Sequence, residues 1–372
     1  MDFESRLDRV IEDAVSRNTI VGAVTIVARD GEVVYRKARG FFDREAGRPM
    51  FPEAIFRLAS VTKPLIAATA LAMVERGLLG LDNAVADHLP WFRPRMPDGS
   101  QPKLTIRQLL THTSGLVYGG ESGVSGLTSG LEDTNLTLEE NFSLWAERVP
   151  LAFLPGTQWG YGPGIDVLGA VIERVHGTSL DDAFRHYVAK PLDMRDTGFS
   201  VTDADRLAVP YADGPPRLRR MDDPETVVKP DGSKTVYSPG RIFNRKAFQS
   251  GGAGAVGTAD DLLAFFEAVR NRGVPILKPE IVAQAIQNQI GDVPAPRERV
   301  GQRFGFLGAV VVDPKAAGRP VSPGTNRWGG VYGHDWFVDF AKGLTVVSMT
   351  NTALEGCNGA YPLDLANAVY GV

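Results

Sequence analysis

The sequence predicts an α+β fold of the α/β-sandwich type, in which an antiparallel sheet is flanked by helices. Strand-like patterns lie near both ends of the chain, and helical patterns fill its middle. A chain of 372 residues also exceeds one ordinary core. We therefore expect residues 1–80 and 245–372 to form one α/β sheet domain. Residues 81–244 are expected to be a mainly helical inserted domain.

The first sheet segment begins with an amphipathic helix over residues 2–17. Two β-branched runs follow at 21–28 and 32–38. Asp30-Gly31 between them is a strong signal for a two-residue hairpin turn. A short segment then leads to Ser60 and to an apolar helix that ends at Gly77.

The middle of the chain alternates helices with long loops. Thr105 and Gln108 form a capping-box pattern, residues 116–135 resemble an extended loop, and residues 210–240 resemble a surface excursion. Helices are expected at 164–176, 180–189, 259–270, 279–289 and 360–370. Strands are expected at 304–312, 330–340 and 344–351.

Composition restricts the classes of function. Apolar residues make up 43% of the chain and charged residues 23%, which is typical of a soluble globular protein. The net charge of −4 is spread evenly, so neither a nucleic-acid nor a membrane partner is expected. With Cys357 alone and five scattered histidines, no metal or other cofactor is expected. The charged N-terminus lacks the apolar core of a secretory signal, which predicts a cytoplasmic protein. Oligomeric state has no signal here.

Ser60-Val61-Thr62-Lys63 is the first candidate for chemistry. At helical spacing i and i+3, the Lys63 amine can reach the Ser60 hydroxyl, and a hydroxyl needs such a base to become a nucleophile. The same spacing occurs at Ser100 and Lys103, but there it lies in a turn without an apolar run. By itself the Ser60 stretch fits a catalytic serine and an ordinary helix start equally well.

Two later segments could complete a site. Tyr161 lies in a glycine-rich loop before a helix, where it could exchange a proton or simply close an interface. Trp328-Gly329-Gly330-Val331 could offer a backbone N–H to an oxyanion, or could be an edge strand with a bulge. His334 with Asp335, or His112, would suit a Ser-His-Asp triad. The chain has no G-x-S-x-G motif, however, and His112 is interpreted as a hydrogen-bonded helix end.

Together these segments resemble the serine β-lactamase and penicillin-binding protein superfamily, which carries S-x-x-K, Tyr-x-Asn and Lys-Thr-Gly elements in that order. Here the order is Ser60 to Lys63, then Tyr161-Gly162-Pro163, then Trp328-Gly329-Gly330. Further segments resemble the class C branch, and they are Leu109 to Leu116, Pro155-Gly156-Thr157, Pro191 to Met194 and Gly251 to Gly254.

Two departures favour one branch of that superfamily. Pro163 replaces the asparagine and Trp328 replaces the strand lysine, a pattern that resembles the family VIII carboxylesterases. Tryptophan cannot attract a substrate carboxylate and favours an uncharged group. Arg327 is not expected to take the role of the missing strand lysine, because neighbouring strand residues face opposite sides of the sheet.

The resemblance implies cleavage of a small-molecule ester, short-chain and uncharged, through an acyl-enzyme on Ser60. Lys63 and Tyr161 would share the base role, and the N–H groups of Ser60 and Val331 would bind the oxyanion. Further residues are expected to line the pocket, and these are Trp328, Gly329, Gly330, Tyr118 and Trp159. The alternatives are a β-lactamase or D,D-peptidase, an acyltransferase to an alcohol, and a non-catalytic scaffold.

Overall fold

The fold is an α+β arrangement built on one large antiparallel sheet. The computed structural model describes residues 1–119, 124, 126–213, 218–229, 232–293 and 299–372. The helices are α1 (Phe3–Ser16), α2 (Thr62–Glu75), α3 (Val85–His88), α4 (Ile106–Leu110), α5 (Leu138–Arg148), α6 (Gly164–His176), α7 (Leu180–Phe184), α8 (Ala259–Arg270), α9 (Pro279–Ala285), α10 (Glu355–Asn358) and α11 (Tyr361–Tyr370). The strands are β1 (Gly22–Arg29), β2 (Glu32–Asp43), β3 (Arg48–Pro49), β4 (Phe56–Arg57), β5 (Tyr211–Ala212), β6 (Arg219–Arg220), β7 (Glu225–Val228), β8 (Lys234–Tyr237), β9 (Val256–Gly257), β10 (Gln302–Phe304), β11 (Ala309–Val311), β12 (Asn326–Gly330), β13 (His334–Asp339), β14 (Leu344–Thr350) and β15 (Thr352–Ala353).

The large sheet joins the two ends of the chain. Its eight strands follow the order β10-β11-β12-β13-β14-β1-β2-β3. The junction is the antiparallel pair β1 and β14, in which Ala23 lies opposite Thr350. The predicted sheet from both termini is confirmed. The predicted domain boundaries at residues 80 and 245 remain a proposal.

Each face of the sheet is covered by different helices. On one face, α1 and α11 bury Leu7 and Leu365 against Val27 of β1. On the other face, α2 and α8 belong to the larger core, where Phe266 stacks on Trp336 with ring centroids 4.1 Å apart. Alternating strand residues therefore supply both cores. In the described residues, no helix combines the length and apolar character needed to cross a lipid bilayer.

Several local predictions are confirmed. The hairpin turn has positive φ at both central residues, 51° at Asp30 and 94° at Gly31, as a type I′ turn requires. Thr105 caps α4 by accepting from the Gln108 N–H, and the Gln108 side chain accepts from the Thr105 N–H.

Other local predictions are wrong. The expected strand 304–312 is two strands, β10 and β11, because the chain turns back at Gly305–Gly308. The expected strand 330–340 is shorter, because Gly330 ends β12 and a turn leads from it into β13 at His334. Helix α9 ends at Ala285 rather than at residue 289. The stretch 210–240 is not only a surface excursion, because the side chains of Tyr211 and Tyr237 in it are fully buried.

Candidate active site

Ser60 and Lys63 lie together at the start of α2. A short 3₁₀ turn, Ala59–Val61, carries Ser60 directly into the helix. Both side chains are buried, and Lys63 Nζ is 3.3 Å from Ser60 Oγ. Ala59 has a φ of 44°, a left-handed conformation that costs energy in a residue with a Cβ atom. The backbone before the serine is therefore held by its surroundings in a conformation that it would not adopt freely.

The Lys63 amine contacts three oxygens. Besides Ser60 Oγ, it lies 3.2 Å from the Tyr118 hydroxyl and 2.8 Å from the Gly252 carbonyl oxygen. An ammonium group has three N–H donors, which match these three oxygens. In the neutral form two N–H groups can keep Tyr118 and Gly252 while the lone pair faces the Ser60 hydroxyl. This geometry suits a base for Ser60.

The two tyrosines contact Lys63 differently. The Tyr118 hydroxyl contacts the amine, whereas Tyr161 places its ring there, with Nζ 4.8 Å from the ring centroid. The Tyr161 hydroxyl accepts a hydrogen bond from the indole N–H of Trp328 at 3.0 Å. The sequence predicted Tyr118 only as a pocket residue and did not predict a hydrogen bond from Trp328.

An aromatic wall extends from Tyr161. The rings of Tyr161, Trp328, Phe304 and Trp159 contact one another at centroid distances of 5.1 to 6.2 Å. The Arg299 guanidinium lies 4.3 Å from the Trp328 ring centroid. Phe304 and Arg299 were not predicted, because they are far from the motifs in sequence. The wall is therefore apolar with one cation against it.

The turn after β12 lies against the serine. Val331 packs with Ala59 in a small cluster of apolar side chains. Its carbonyl oxygen accepts hydrogen bonds from the Tyr237 hydroxyl at 3.1 Å and from the Leu354 N–H at 3.2 Å. Gly330 has no room for a side chain, because a Cβ atom there would overlap the Leu58 carbonyl oxygen. The Val331 peptide is thus fixed beside the residues that lead into Ser60.

Gly329 is also closely packed. A Cβ atom on it would meet the Cys357 sulfur at 2.8 Å.

Arg327 is the residue before Trp328 in β12. It forms an ion pair with Asp335 at 2.9 Å, and both side chains are buried. Arg327 is therefore engaged with its own sheet, in agreement with its expected absence from the pocket.

The histidines of the rival triad have other partners. His334 Nε2 is 2.7 Å from the Arg57 carbonyl oxygen, and burial lowers the pKa of His334 to about 4. His112 Nδ1 accepts the Gly162 N–H, and burial lowers its pKa well below its ordinary value. Both imidazoles are neutral near pH 7, and the Ser60 hydroxyl bonds to Lys63 instead.

Asp166 is a buried residue that sequence reasoning missed. It lies on α6 and accepts hydrogen bonds from the Ser250 hydroxyl and the Gly252 N–H. Because the Gly252 carbonyl accepts a hydrogen bond from Lys63, Asp166 helps to fix the residue that positions the amine. Burial raises the pKa of the Asp166 carboxyl, and the Lys63 charge opposes that rise. One signal was present, a lone carboxylate within the apolar run 164–172.

Comparison with known proteins gives the family. A β-lactamase family model matches residues 7–366. The chain is 48% identical to esterase EstB of Burkholderia gladioli over 98% of this chain and 95% of that protein. The chain belongs to the β-lactamase family, which confirms the resemblance seen in the sequence.

Solved structures agree with this assignment. EstCE1, described as a hydrolase with promiscuous acyltransferase activity, aligns with a TM-score of 0.94 and 42% identity, over 99% of this chain and 98% of that one. Simvastatin synthase from Aspergillus terreus aligns with a TM-score of 0.78 at 22% identity, over 100% of this chain and 98% of that one, and supports the fold alone.

Proposed function

We propose that this protein is a carboxylesterase that cleaves short-chain, uncharged esters through an acyl-enzyme on Ser60. The observation that carries the proposal is the buried Ser60–Lys63 pair, with the amine held by Tyr118 and Gly252. The likeness to EstB and EstCE1, both described as ester-cleaving or acyl-transferring enzymes, supports the same class.

In the proposed reaction, Ser60 Oγ attacks the ester carbonyl while its proton passes to Lys63. The N–H groups of Ser60 and Val331 stabilise the oxyanion, and loss of one such donor typically costs about 10²–10³ in turnover. The C–O bond to the alcohol then breaks, and Tyr161 with Lys63 returns the proton to the leaving alcohol. A water activated by Tyr161 hydrolyses the acyl-enzyme and frees the acid.

The pocket is formed in this proposal by Trp328, Gly329, Gly330, Tyr118 and Trp159. Their aromatic surface favours an apolar acyl or alcohol group. Arg299 against Trp328 adds a positive charge to this wall. A substrate panel should therefore include nitrocefin and a half-ester with a distal carboxylate beside neutral esters. Faster turnover of the anionic compounds would contradict the preference for uncharged esters.

Labelling of the serine tests the mechanism. A fluorophosphonate probe should modify Ser60, and Ser60→Ala should lose labelling and at least about 10⁴-fold in p-nitrophenyl butyrate hydrolysis. Ser100→Ala is the matched control, because Ser100 shares the S-x-x-K spacing but is exposed and bonds to Asp98. Retained activity in Ser60→Ala, or lost activity in Ser100→Ala, would refute the mechanism.

Transfer of the acyl group to an alcohol is a second candidate. The similarity to EstCE1 favours it, since EstCE1 is described as a hydrolase with promiscuous acyltransferase activity. Adding acceptor alcohols and measuring the partition between acid and new ester tests it. A cytoplasmic location also remains a proposal, which cell fractionation against marker enzymes would test.

A further inference from the structure

A second pocket lies apart from the Ser60 site. It has a volume of about 50 Å³ and is lined by Arg57 of β4, by Arg241, by Tyr332 and by apolar residues of the 247–256 segment. One water needs only about 10–15 Å³, so the space can hold a small molecule. Neither Ser60 nor Lys63 lines it. We call it the Arg57–Arg241 pocket.

Among the described residues, the hydrogen bonds of both arginines of this pocket all go to neutral backbone carbonyl groups. The bonds run from Arg57 to Pro239 O at 2.8 Å and Ala208 O at 3.1 Å, and from Arg241 to Gly130 O at 3.0 Å and Phe248 O at 2.8 Å. A guanidinium has five N–H donors. Each arginine therefore keeps three donors that form no hydrogen bond within the described residues.

No carboxylate neutralises these two charges. Within the described ranges, neither Arg57 nor Arg241 has an acidic oxygen within 4.0 Å, and no acidic residue lines the pocket. The neighbouring carboxylates are bound elsewhere, Asp223 by the Gly240 N–H, Asp166 by Ser250, Glu132 by Ser129 and Asp133 by Asn244. Burial lowers the pKa of both guanidinium groups, and attraction from these carboxylates offsets that only in part. Buried cations without a counter-charge are costly.

Two hydroxyl groups add further donors. Tyr332 and Ser238 line the pocket, each is 6% exposed, and neither hydroxyl forms a hydrogen bond with another described residue. Burial raises the pKa of Tyr332, although the charges of Arg57 and Arg241 act against the rise. The phenol therefore keeps its proton as a donor. Donors from four side chains thus surround one small space that has no acceptor side chain of opposite charge.

We propose that the Arg57–Arg241 pocket is a binding site for a small oxyanion, a phosphate or carboxylate group. Guanidinium groups match the oxygen pairs of such anions, and Tyr332 and Ser238 supply further O–H donors. The bound anion would link Arg57 of β4, which lies three residues before Ser60, to the turn that carries Arg241. The site is independent of the proposed esterase reaction, because it shares no residue with it.

Calorimetric titration of the full chain tests the site. Inorganic phosphate and acetate are titrated separately at constant ionic strength, and saturable one-to-one binding of either supports the proposal. Binding of phosphate alone indicates a phosphate group as the natural ligand, and binding of acetate alone indicates a carboxylate. The absence of saturable binding in both titrations would overturn the proposal.

Variants locate the binding. Arg241→Gln and Arg57→Lys should weaken binding at least tenfold, and Tyr332→Phe, which removes one hydroxyl and keeps the ring, should weaken it several-fold. Arg195→Gln is the control, since Arg195 is exposed and paired with Asp193. Ser60→Ala should bind as the wild type does, which separates this result from the esterase test. Unchanged affinity in all three pocket variants would overturn the proposal.

Discussion

The contacts of Lys63 distinguish two tyrosines at the residue scale. Tyr118 offers its hydroxyl to the amine, whereas Tyr161 offers its ring and directs its hydroxyl to Trp328. Both could handle a proton during the reaction, but Tyr161 is the residue to which the resemblance to the superfamily assigns this role in our proposal. Because both tyrosines contact the Lys63 amine, single substitutions are the way to separate their roles.

Removing the hydroxyl of Tyr161 or of Tyr118 should lower kcat by different factors. Tyr161→Phe is expected to lower kcat by about 10²–10⁴, the usual contribution of a general acid or base. Tyr118→Phe should cost only about tenfold, because Lys63 keeps Ser60 and Gly252 as partners. Stopped-flow hydrolysis of p-nitrophenyl butyrate measures both. An equal or larger loss in Tyr118→Phe would move the proton-transfer role to Tyr118.

Sequence reasoning identified the residues that belong to motifs and missed those that meet only in space. Ser60 and Lys63 are three positions apart, so their contact follows from helical spacing. Tyr118 is 55 residues from Lys63, and the loop between 116 and 135 has no periodicity that would predict its course. Arg299 reaches Trp328 from a segment without any recognisable pattern.

At the scale of elements, the 250–254 passage connects α6 to Lys63. Asp166 on α6 accepts the Gly252 N–H at 3.0 Å, and the carbonyl of the same residue accepts from Lys63 at 2.8 Å. Gly252 must be glycine, because a Cβ atom there would overlap the Asp166 carboxylate. We therefore expect Asp166 to act on the reaction through the backbone of Gly252 and not by touching the substrate.

Asp166→Ala should lower kcat roughly tenfold with little change in KM, because the Gly252 carbonyl loses its orientation while the pocket is unchanged. Leaving the Gly252 N–H and the Ser250 hydroxyl unpaired should also cost about 1–3 kcal/mol of stability. Asp166→Asn keeps an acceptor oxygen and should restore most of kcat. If Asn and Ala are equally impaired, the charge of Asp166 matters and not its orienting role.

His334 links β13 to β4 and should make stability depend on pH. Its folded pKa is about 4 against an ordinary 6.5, so between these values the unfolded chain binds more protons than the folded one. Stability should therefore fall as the pH drops from about 6.5 to 4, by roughly 3 kcal/mol from this group.

Urea unfolding of wild type and His334→Gln across pH 4 to 7 isolates that contribution. Glutamine can still donate to the Arg57 carbonyl but does not titrate. The difference in the free energy of unfolding between wild type and His334→Gln should therefore narrow as the pH falls. A constant gap would show that His334 does not titrate between these pH values. Ser60 should still be labelled by a fluorophosphonate in His334→Gln, because the serine bonds to Lys63.

The whole molecule depends on pairing between the two ends of the chain. Strand-like runs near both ends of the chain predicted a sheet shared by the two termini, and the pairing of β1 with β14 provides it. The register and the eight-strand order did not follow, since they depend on which apolar faces meet α1, α11, α2 and α8. The burial of Tyr211 and Tyr237 was not predicted either, because the many prolines and charges of the 210–240 segment indicated an exposed stretch.

Helix α11 should stabilise the entire fold, because it packs on the central strands from the face opposite α2. Leu365→Ala removes a side chain that is 1% exposed and should lower the free energy of unfolding by about 2–5 kcal/mol. The substitution Asp364→Ala at the exposed neighbouring position should change the free energy of unfolding by less than about 0.5 kcal/mol.

Urea unfolding of Leu365→Ala, followed by fluorescence and circular dichroism, should show one shifted transition. The slope of the unfolding free energy against urea concentration should be unchanged. Because α11 packs in one core and α2, which begins just after Ser60, packs in the other, kcat of the folded Leu365→Ala protein should stay within about twofold of wild type. A separate early transition would instead show that α11 unfolds alone and that the two chain ends do not form one cooperative unit.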